Sequence, residues 1–184
     1  MTKNLLFFFF IITLSCSTTK EYYDSGVLKA KGTIVNGERT GKWKLFYENG
    51  KLFQIGAYVN GKEEGKWKIF HENGQLRQSG EFSNGFQIGE WNFFHPNGNK
   101  EGRGSLVNGK RQGIWTWYHP NGNLFTERIW ENGKLISILS CFDEQGNKLD
   151  TGTLKNGTGT MKLYNSEGKL LETFSYLNGE YIEN

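Results

Sequence analysis

A 24-residue repeat limits the fold of this chain more than any other feature of its sequence. Two series of turn residues keep the same step along the 184 residues. Asn-Gly pairs begin at Asn36, Asn60, Asn84, Asn108, Asn132 and Asn156. Turn glycines stand at Gly26, Gly50, Gly74, Gly98, Gly122 and Gly146, followed by Gly168 after a step of 22. Two series in one register indicate tandem copies of a single supersecondary unit.

Each unit predicts two strands joined by two different turns. Residues 43–47 are an aromatic stretch followed by an Asn-Gly pair, and two later units have Pro96 and Pro120 before that pair. Pro fixes φ at the first corner of a type I turn, and Gly takes the left-handed position that closes a G1-bulge hairpin. Residues 51–59 would form the return strand, and residues 60–65 a wider turn into the next Trp-containing strand.

These strands predict an all-β chain. Six strands of the Trp type, at positions 43, 67, 91, 115, 139 and 161, alternate with seven return strands. We expect an elongated single-layer antiparallel meander of tandem 24-residue β-hairpin repeats, with about 13 strands and a length of about 60 Å. No segment of the repeat region has helical periodicity.

The N-terminal residues have the pattern of an export signal. Lys3 precedes an apolar run over residues 5–14, which has signal-peptide length and is too short to span a bilayer. Cys16 comes soon after this run and begins a polar stretch. The segment resembles a bacterial lipobox, although Thr13 stands where a bulky aliphatic residue is usual. A plain secretory signal or an uncleaved anchor is the alternative interpretation.

This pattern divides the chain into a signal peptide at 1–15, a lipidated tether at 16–22 with Cys16 acylated, and a repeat domain at 23–184. It predicts a membrane-anchored lipoprotein of the bacterial cell envelope, on the periplasmic or surface side, because acyl chains make membrane residence durable. Cys141 is the second of two cysteines, so acylation of Cys16 leaves it without a disulfide partner. We expect Cys141 to lie in an apolar column of the core.

Residues 24 apart occupy equivalent places on alternate strands, about 10 Å from each other. An aromatic column is expected at Phe46, Phe70, Phe94, Tyr118, Phe142 and Tyr164. A second column is expected at Trp43, Trp67, Trp91 and Trp115, continued by Leu139 and Met161. Space for a neighbouring ring is expected at Gly32, Gly56, Gly80, Gly104 and Gly152. The four tryptophans are the candidate binding residues, although packing in the core of a thin sheet is the preferred interpretation.

The three histidines are candidate metal ligands, but their spacing argues against that role. His71, His95 and His119 share one column and would stand roughly 10 Å apart, whereas zinc requires ligand atoms at about 2.0–2.2 Å. A polar residue before the turn would instead cap the hairpin edge. The sequence has no nucleophile elbow, phosphate loop, Cys-x-x-Cys or His-Glu-x-x-His motif. We therefore expect no metal, no cofactor and no enzymatic activity.

Two ten-residue strings resemble a known repeat. Residues 58–67, Tyr-Val-Asn-Gly-Lys-Glu-Glu-Gly-Lys-Trp, and residues 82–91, Phe-Ser-Asn-Gly-Phe-Gln-Ile-Gly-Glu-Trp, are similar to MORN repeats. They are most similar to the bacterial variant in the YwqK family of toxin–antitoxin antitoxins, and Trp stands where the eukaryotic pattern has a second glycine. The resemblance extends from Tyr23 to the end of the chain. It implies the meander fold and an antitoxin-like role, and it implies no reacting site.

The expected function is a non-enzymatic, envelope-anchored repeat scaffold that mediates protein–protein interaction with an unknown protein partner. A glycan-binding or cell-wall-binding module is one alternative, because exposed aromatic rows stack on sugars. Phospholipid-headgroup binding between membranes is another, because Lys42, Lys44, Lys66 and Lys68 flank tryptophans. Nucleic acid is not expected, because the net charge of +3 is spread along the chain. The antitoxin role conflicts with the export signal, since an acylated envelope protein cannot neutralise a cytoplasmic toxin.

Overall fold

The computed structural model describes residues 17–183, and every regular element within that range is a β-strand. The predicted signal peptide and Cys16 lie outside the described residues. No helix long and apolar enough to cross a membrane occurs in the described range. The strands are β1 (Thr18–Tyr22), β2 (Leu28–Val35), β3 (Glu38–Phe46), β4 (Leu52–Val59), β5 (Lys62–Phe70), β6 (Leu76–Ser83), β7 (Phe86–Phe94), β8 (Lys100–Val107), β9 (Lys110–Tyr118), β10 (Leu124–Glu131), β11 (Lys134–Cys141), β12 (Gly159–Tyr164), β13 (Leu170–Leu177) and β14 (Glu180–Ile182).

The strands form two antiparallel meanders. Strands β1 to β11 make one sheet in which each strand pairs only with its neighbours in the sequence, and β12 to β14 make a second sheet in the same way. The short turns impose this order, because a tight turn brings consecutive strands together as antiparallel partners. The predicted all-β antiparallel meander of hairpin repeats is confirmed, with two sheets in place of one continuous ribbon.

The observed strands differ from the predicted thirteen at three places. β1 forms from residues that we assigned to the lipidated tether, and it pairs with β2 along its length. β14 follows the last Asn-Gly pair, at Asn178, and pairs with β13. The return strand predicted after Gly146 is absent, and only isolated bridges form there.

The missing strand lies where side-chain and backbone bonds fold the chain into turns. Oδ1 of Asp143 accepts hydrogen bonds from the N–H groups of Gln145 and Asn147, at 3.0 and 2.8 Å. Gly152 has a φ of 86°, which lies in the left-handed region and outside the extended β region. The long sheet therefore ends at β11, and the prediction that Gly152 gives space to a ring is wrong.

The Asn-Gly turns are tighter than predicted. Asn60 and Gly61 both have positive φ, at 50° and 73°, as in the type I′ turn that suits a two-residue hairpin. β5 begins at Lys62, so the predicted wider turn over residues 60–65 is wrong. Gly65, with a φ of 70°, lies inside β5 where the β4–β5 register shifts. It supplies the left-handed residue of a bulge.

The turn at Gly50, at the other end of the strands, has the predicted form. The N–H of Gly50 donates to the carbonyl of Tyr47 at 2.9 Å, and the N–H of Tyr47 donates to the carbonyl of Lys51 at 2.8 Å. Gly50 has a φ of 80°. These bonds describe a type I turn closed by a left-handed glycine, so the predicted G1-bulge hairpin is confirmed.

The core of the long sheet consists of indole rings that lie on glycines. Trp43, Trp67, Trp91 and Trp115 are 0–2% exposed. A Cβ added at Gly32 would lie under 3.0 Å from atoms of the Trp43 ring, and the same clash recurs at Gly56, Gly80 and Gly104 with the three later tryptophans. The space predicted at these four glycines is therefore confirmed. This arrangement buries an aromatic core in a single layer without help from helices.

The tryptophan column ends at β9, and the prediction that Leu139 continues it is wrong. Leu139 is 49% exposed. Arg128 stands in the glycine column at this unit, so a side chain fills the space that a ring would need. Leu135 is buried instead, and it packs with Leu154 and Met161 where the two sheets meet.

Candidate interaction surfaces

One column of polar side chains links each hairpin to the next. The hydroxyl of Tyr23 donates to the carbonyl of Phe46 at 2.8 Å, and the later members of the column repeat this bond 23 residues ahead. The pairs are Tyr47 with Phe70 at 2.6 Å, His71 with Phe94 at 2.8 Å, His95 with Tyr118 at 2.9 Å and His119 with Phe142 at 2.9 Å. We term these bonds the latch column.

The latch column assigns a structural role to the histidines. A carbonyl oxygen only accepts, so Nε2 of His71, His95 and His119 is the protonated nitrogen that donates to it. Nε2 therefore has no lone pair for a metal ion, and Nδ1 is the one ring nitrogen left that could bind one. No group of three or more potential metal ligands occurs in residues 17–183.

The turns at both ends of the strands in the long sheet are joined by further hydrogen bonds. At one end, the N–H of Gly61 donates to the carbonyl of Arg39 at 3.0 Å, and Gly85, Gly109 and Gly133 repeat this bond. At the other end, Nδ2 of Asn73 donates to the carbonyl of Pro96 at 2.7 Å, and Asn97 repeats it with Pro120. Each unit is thus fixed to the next at both ends of its strands.

The four candidate tryptophans lie in a continuous aromatic row on one face of the sheet, termed the tryptophan face. Neighbouring ring centroids are 5.2–6.5 Å apart in the order Trp43, Tyr58, Trp67, Phe82, Trp91, Phe93 and Trp115. Such pairs contribute about 0.5–1.5 kcal/mol each beyond burial. With their faces on glycines and their edges on other rings, the indoles are occupied by packing and are not accessible to a ligand.

The opposite face of the sheet collects positive charge. Cross-strand pairing joins Lys31 to Lys44, Lys44 to Ile55 and Ile55 to Lys68 in one row over β2 to β5, and paired residues point to the same side. Lys42 and Lys66 alternate with tryptophans along their strands and therefore share this face. We term these five residues, Lys31, Lys42, Lys44, Lys66 and Lys68, the lysine face.

Two shallow grooves lie between the lysine side chains. The larger, of about 370 Å³, is lined by Lys42, Lys66 and Lys68 beside Ile55 and Ala57. The smaller, of about 210 Å³, is lined by the other lysines of this face together with Lys42. Within residues 17–183, none of the five forms a salt bridge, although Lys66 is the cross-strand partner of Glu81. The surface therefore combines unpaired ammonium groups with a small apolar floor.

The lysine face was not recognised from the sequence, where we described the charge as spread along the chain. The sequence feature that could have indicated this face is the pair of residues on either side of each tryptophan. That pair is Lys and Lys in β3 and in β5, but Glu90 and Asn92 in β7. The lysine pairs that flank a tryptophan are therefore limited to one end of the long sheet.

Cys141 is a core residue rather than a reactive one. It is 4% exposed in β11, as expected, and it is a free thiol. Burial raises the pKa of the Cys141 thiol, which disfavours the thiolate that would act as a nucleophile.

A protein-family model described as "MORN repeat variant" matches the chain in five segments. They are residues 17–36, 39–60, 63–84, 111–132 and 158–178, which together exceed half of the chain. In the long sheet, each matched segment corresponds to two strands joined at a turn glycine of the series that begins with Gly26, and it ends near the following Asn-Gly turn. The first segment includes β1. No curated protein sequence matches the chain.

Proposed function

The chain belongs to the MORN repeat variant family, and from this premise we propose that it is a non-enzymatic scaffold that binds a protein partner at a bacterial cell envelope. MORN repeats are associated in general with scaffolds for protein or membrane interaction. Retention at the envelope is supported by the signal-like residues before Cys16 and by the thiol available there for acylation. The proposed partner is therefore on the periplasmic or surface side, at the membrane to which Cys16 would anchor the chain.

The lysine face is the observation that carries this proposal. Lys42, Lys66 and Lys68 line the groove with Ile55 and Ala57. Lys44 pairs with Ile55, and Lys31 pairs with Lys44. An acidic protein surface would complement these five lysines. Four strands of about nine residues give a patch of roughly 20 Å by 30 Å. That area, near 600 Å² on one partner, is at the low end for specific complexes. Electrostatic steering would then contribute more to recognition than buried area.

Binding of anionic phospholipid headgroups is the second candidate function, because the same five lysines favour it. Each lysine near an anionic membrane surface contributes about 1 kcal/mol. The glycan alternative has less support, because the aromatic rings on which it depended are buried in the tryptophan face.

The resemblance to YwqK antitoxins extends the proposal to a toxin as the partner. Such a toxin would have to be exported or surface-bound, since the scaffold itself is proposed to be outside the cytoplasm. A toxin gene beside the gene for this chain would support this form of the proposal.

Charge reversal on the lysine face tests the proposed function. The test variant carries Lys42→Glu, Lys44→Glu, Lys66→Glu and Lys68→Glu. The control carries the same change at four exposed lysines outside β2 to β5, Lys100, Lys148, Lys155 and Lys169. Proteins that co-purify from a detergent extract are identified, and each is then tested with the purified chain.

We expect a protein partner to be lost from the test variant and retained by the control. Retention by both variants would contradict the use of the lysine face. Vesicles of phosphatidylglycerol, compared with phosphatidylcholine, separate the two candidates. Vesicle binding that is lost in the test variant, with no protein partner found, would replace the protein scaffold by a membrane-binding one.

A further inference from the structure

A second concave site lies on the tryptophan face, at the opposite side of the sheet from the lysines. It is a cavity of about 380 Å³ between β8, β9 and β10, and its lining includes Arg111, Arg128, Trp117 and Phe125. It occurs where the repeat changes. Trp117 stands where earlier units have Leu45, Ile69 and Phe93, and Arg128 stands in the glycine column.

The guanidinium of Arg111 is surrounded by aromatic rings. It lies 4.9 Å from the centroid of Trp115, 5.5 Å from that of Trp117 and 4.8 Å from that of Trp130. No carboxylate forms an ion pair with it in residues 17–183. Burial lowers the pKa of Arg111, as expected for a cation that has lost water without gaining an anion.

Arg128 has the same unbalanced environment. Its Nε atom is buried and has no hydrogen-bond partner among the described residues. Burial is the main reason that the pKa of Arg128 is lowered, and the nearby charge of Arg111 adds to it. Two guanidinium groups thus line one cavity without a partner anion. Glu101 also lines it, but makes no ion pair with either arginine in the described range.

The chain contains a completed version of this arrangement at its other end. Arg39 occupies the position of Arg111 three units earlier, and its guanidinium lies 4.2 Å from the centroid of Trp43. Nη2 of Arg39 lies 3.0 and 2.9 Å from the two carboxylate oxygens of Glu21. The residue 72 positions after Glu21 is Phe93. The second arginine–tryptophan stack therefore lacks the carboxylate that the first one has.

We propose that this cavity binds a small organic carboxylate with a flat apolar body. Arg111 and Arg128 bind the carboxylate, as Arg39 binds that of Glu21, and Trp117 and Phe125 contact the apolar body. A cavity of this volume is large enough for such a ligand. The site is independent of the proposed function, because it uses the other face of the sheet.

Phenylacetate is a suitable probe for the full chain purified in detergent, with titration followed by calorimetry. Phenylacetamide has the same shape without the charge, and benzylphosphonate replaces the carboxylate by a phosphonate. We expect phenylacetate to bind with one-to-one stoichiometry and phenylacetamide at least about tenfold more weakly, since hydrogen bonds to charged groups are lost. Equal binding of the two, or no binding of phenylacetate, would overturn the proposal. Tighter binding of benzylphosphonate would overturn the carboxylate assignment.

Variants locate the site on the chain. Arg111→Gln and Arg128→Gln should each weaken phenylacetate binding at least about tenfold, whereas Arg39→Gln, at the stack that Glu21 completes, should leave it unchanged. Glu101→Gln keeps both arginines and removes from the cavity a negative charge that would repel the carboxylate of phenylacetate. It should therefore tighten phenylacetate binding several-fold. Weaker binding in Glu101→Gln, or equal losses in Arg39→Gln and Arg111→Gln, would contradict the proposed geometry.

Discussion

The indole of Trp67 occupies the space in which a side chain at Gly56 would have to lie. The two residues are on adjacent strands, β4 and β5, and the same relationship joins Trp43 to Gly32 and Trp91 to Gly80. A ring that lies flat on bare backbone is covered on one side by its own sheet. The glycine column and the tryptophan column therefore pack against each other, and each depends on the other.

Gly56→Ala should destabilise the protein although it adds one methyl group. The new Cβ forces the Trp67 ring out of place, and overpacking of a core typically costs about 1–3 kcal/mol. The free energy of unfolding from urea denaturation measures the effect. Ala57→Ser, the next residue on the other face, is the control and should change stability by less than about 0.5 kcal/mol. Equal stabilities of the two variants would contradict the packing of Trp67 on Gly56.

Trp91→Leu should cost at least about 2 kcal/mol, because leucine leaves the backbone at Gly80 uncovered. The occurrence of Leu139 in the same column does not show that leucine suffices there, since Leu139 is exposed and faces no glycine. Leu139→Ala is the matched control and should be nearly neutral. Thermal unfolding compares the two variants, and a mild Trp91→Leu would show that the column needs only apolar bulk.

Removal of one whole unit should leave a folded protein. Deletion of residues 62–85 removes β5 and β6 and joins Gly61 to the start of β7, so the glycine and tryptophan columns stay aligned. Deletion of residues 62–73 joins the return strands β4 and β6. Gly56 and Gly80 would then lie on adjacent strands with no tryptophan ring between them. We expect cooperative melting for the first deletion and none for the second, as followed by circular dichroism. Equally cooperative melting of both would argue against the repeat architecture.

The acid stability of the chain should depend on Asp143. Hydrogen bonds, first from the Asn147 side chain and also from backbone N–H groups, hold the pKa of this carboxyl below its ordinary value. A depressed folded-state pKa means that the carboxylate stabilises the fold above about pH 4 and that this contribution is lost as pH falls through the folded value. Asp143→Asn should therefore flatten the decline of the urea midpoint between about pH 5 and 2. An unchanged pH profile, or an equal effect of the exposed control Asp24→Asn, would argue against this role.

Cys16→Ser should prevent acylation and leave the precursor uncleaved, if the N-terminal pattern acts as proposed. Incorporation of labelled fatty acid and membrane fractionation provide the measurements, with Ser17→Ala as a neighbouring control that keeps the thiol. Normal processing and unchanged membrane fractionation of Cys16→Ser would exclude the hypothesis that the chain is a lipoprotein acylated at Cys16.

The sequence predicted those features that recur in every unit. The period of 24, the turn at Gly50 and the ring space at Gly56 each follow from a local residue preference repeated several times. The features that were missed depend on single departures from the repeat. Arg128 in the glycine column ends the tryptophan row, and turn-forming bonds around Asp143 replace a strand.

The faces of the sheet were harder to predict than its strands. A register shift occurs in β4–β5 between Ile55 and Ala57, and a single-residue shift changes which side chains share a face. The row of Lys44, Ile55 and Lys68 therefore becomes visible only once the pairing is known. The same holds for the cavity at Arg111, whose aromatic neighbours come from two different strands.

The meander order has a mechanical consequence. In the long sheet β1 and β11 lie at opposite edges, and each strand is bonded only to its neighbours in the sequence. A pulling force applied between the ends of this sheet therefore acts across the strands, and the strand junctions carry it in series together with the bonds between neighbouring units. Each unit that peels away releases 24 residues, or about 80 Å of extended chain. Under tension the protein would lengthen in equal steps as units unfold, and it would shorten again as they refold when the force is released.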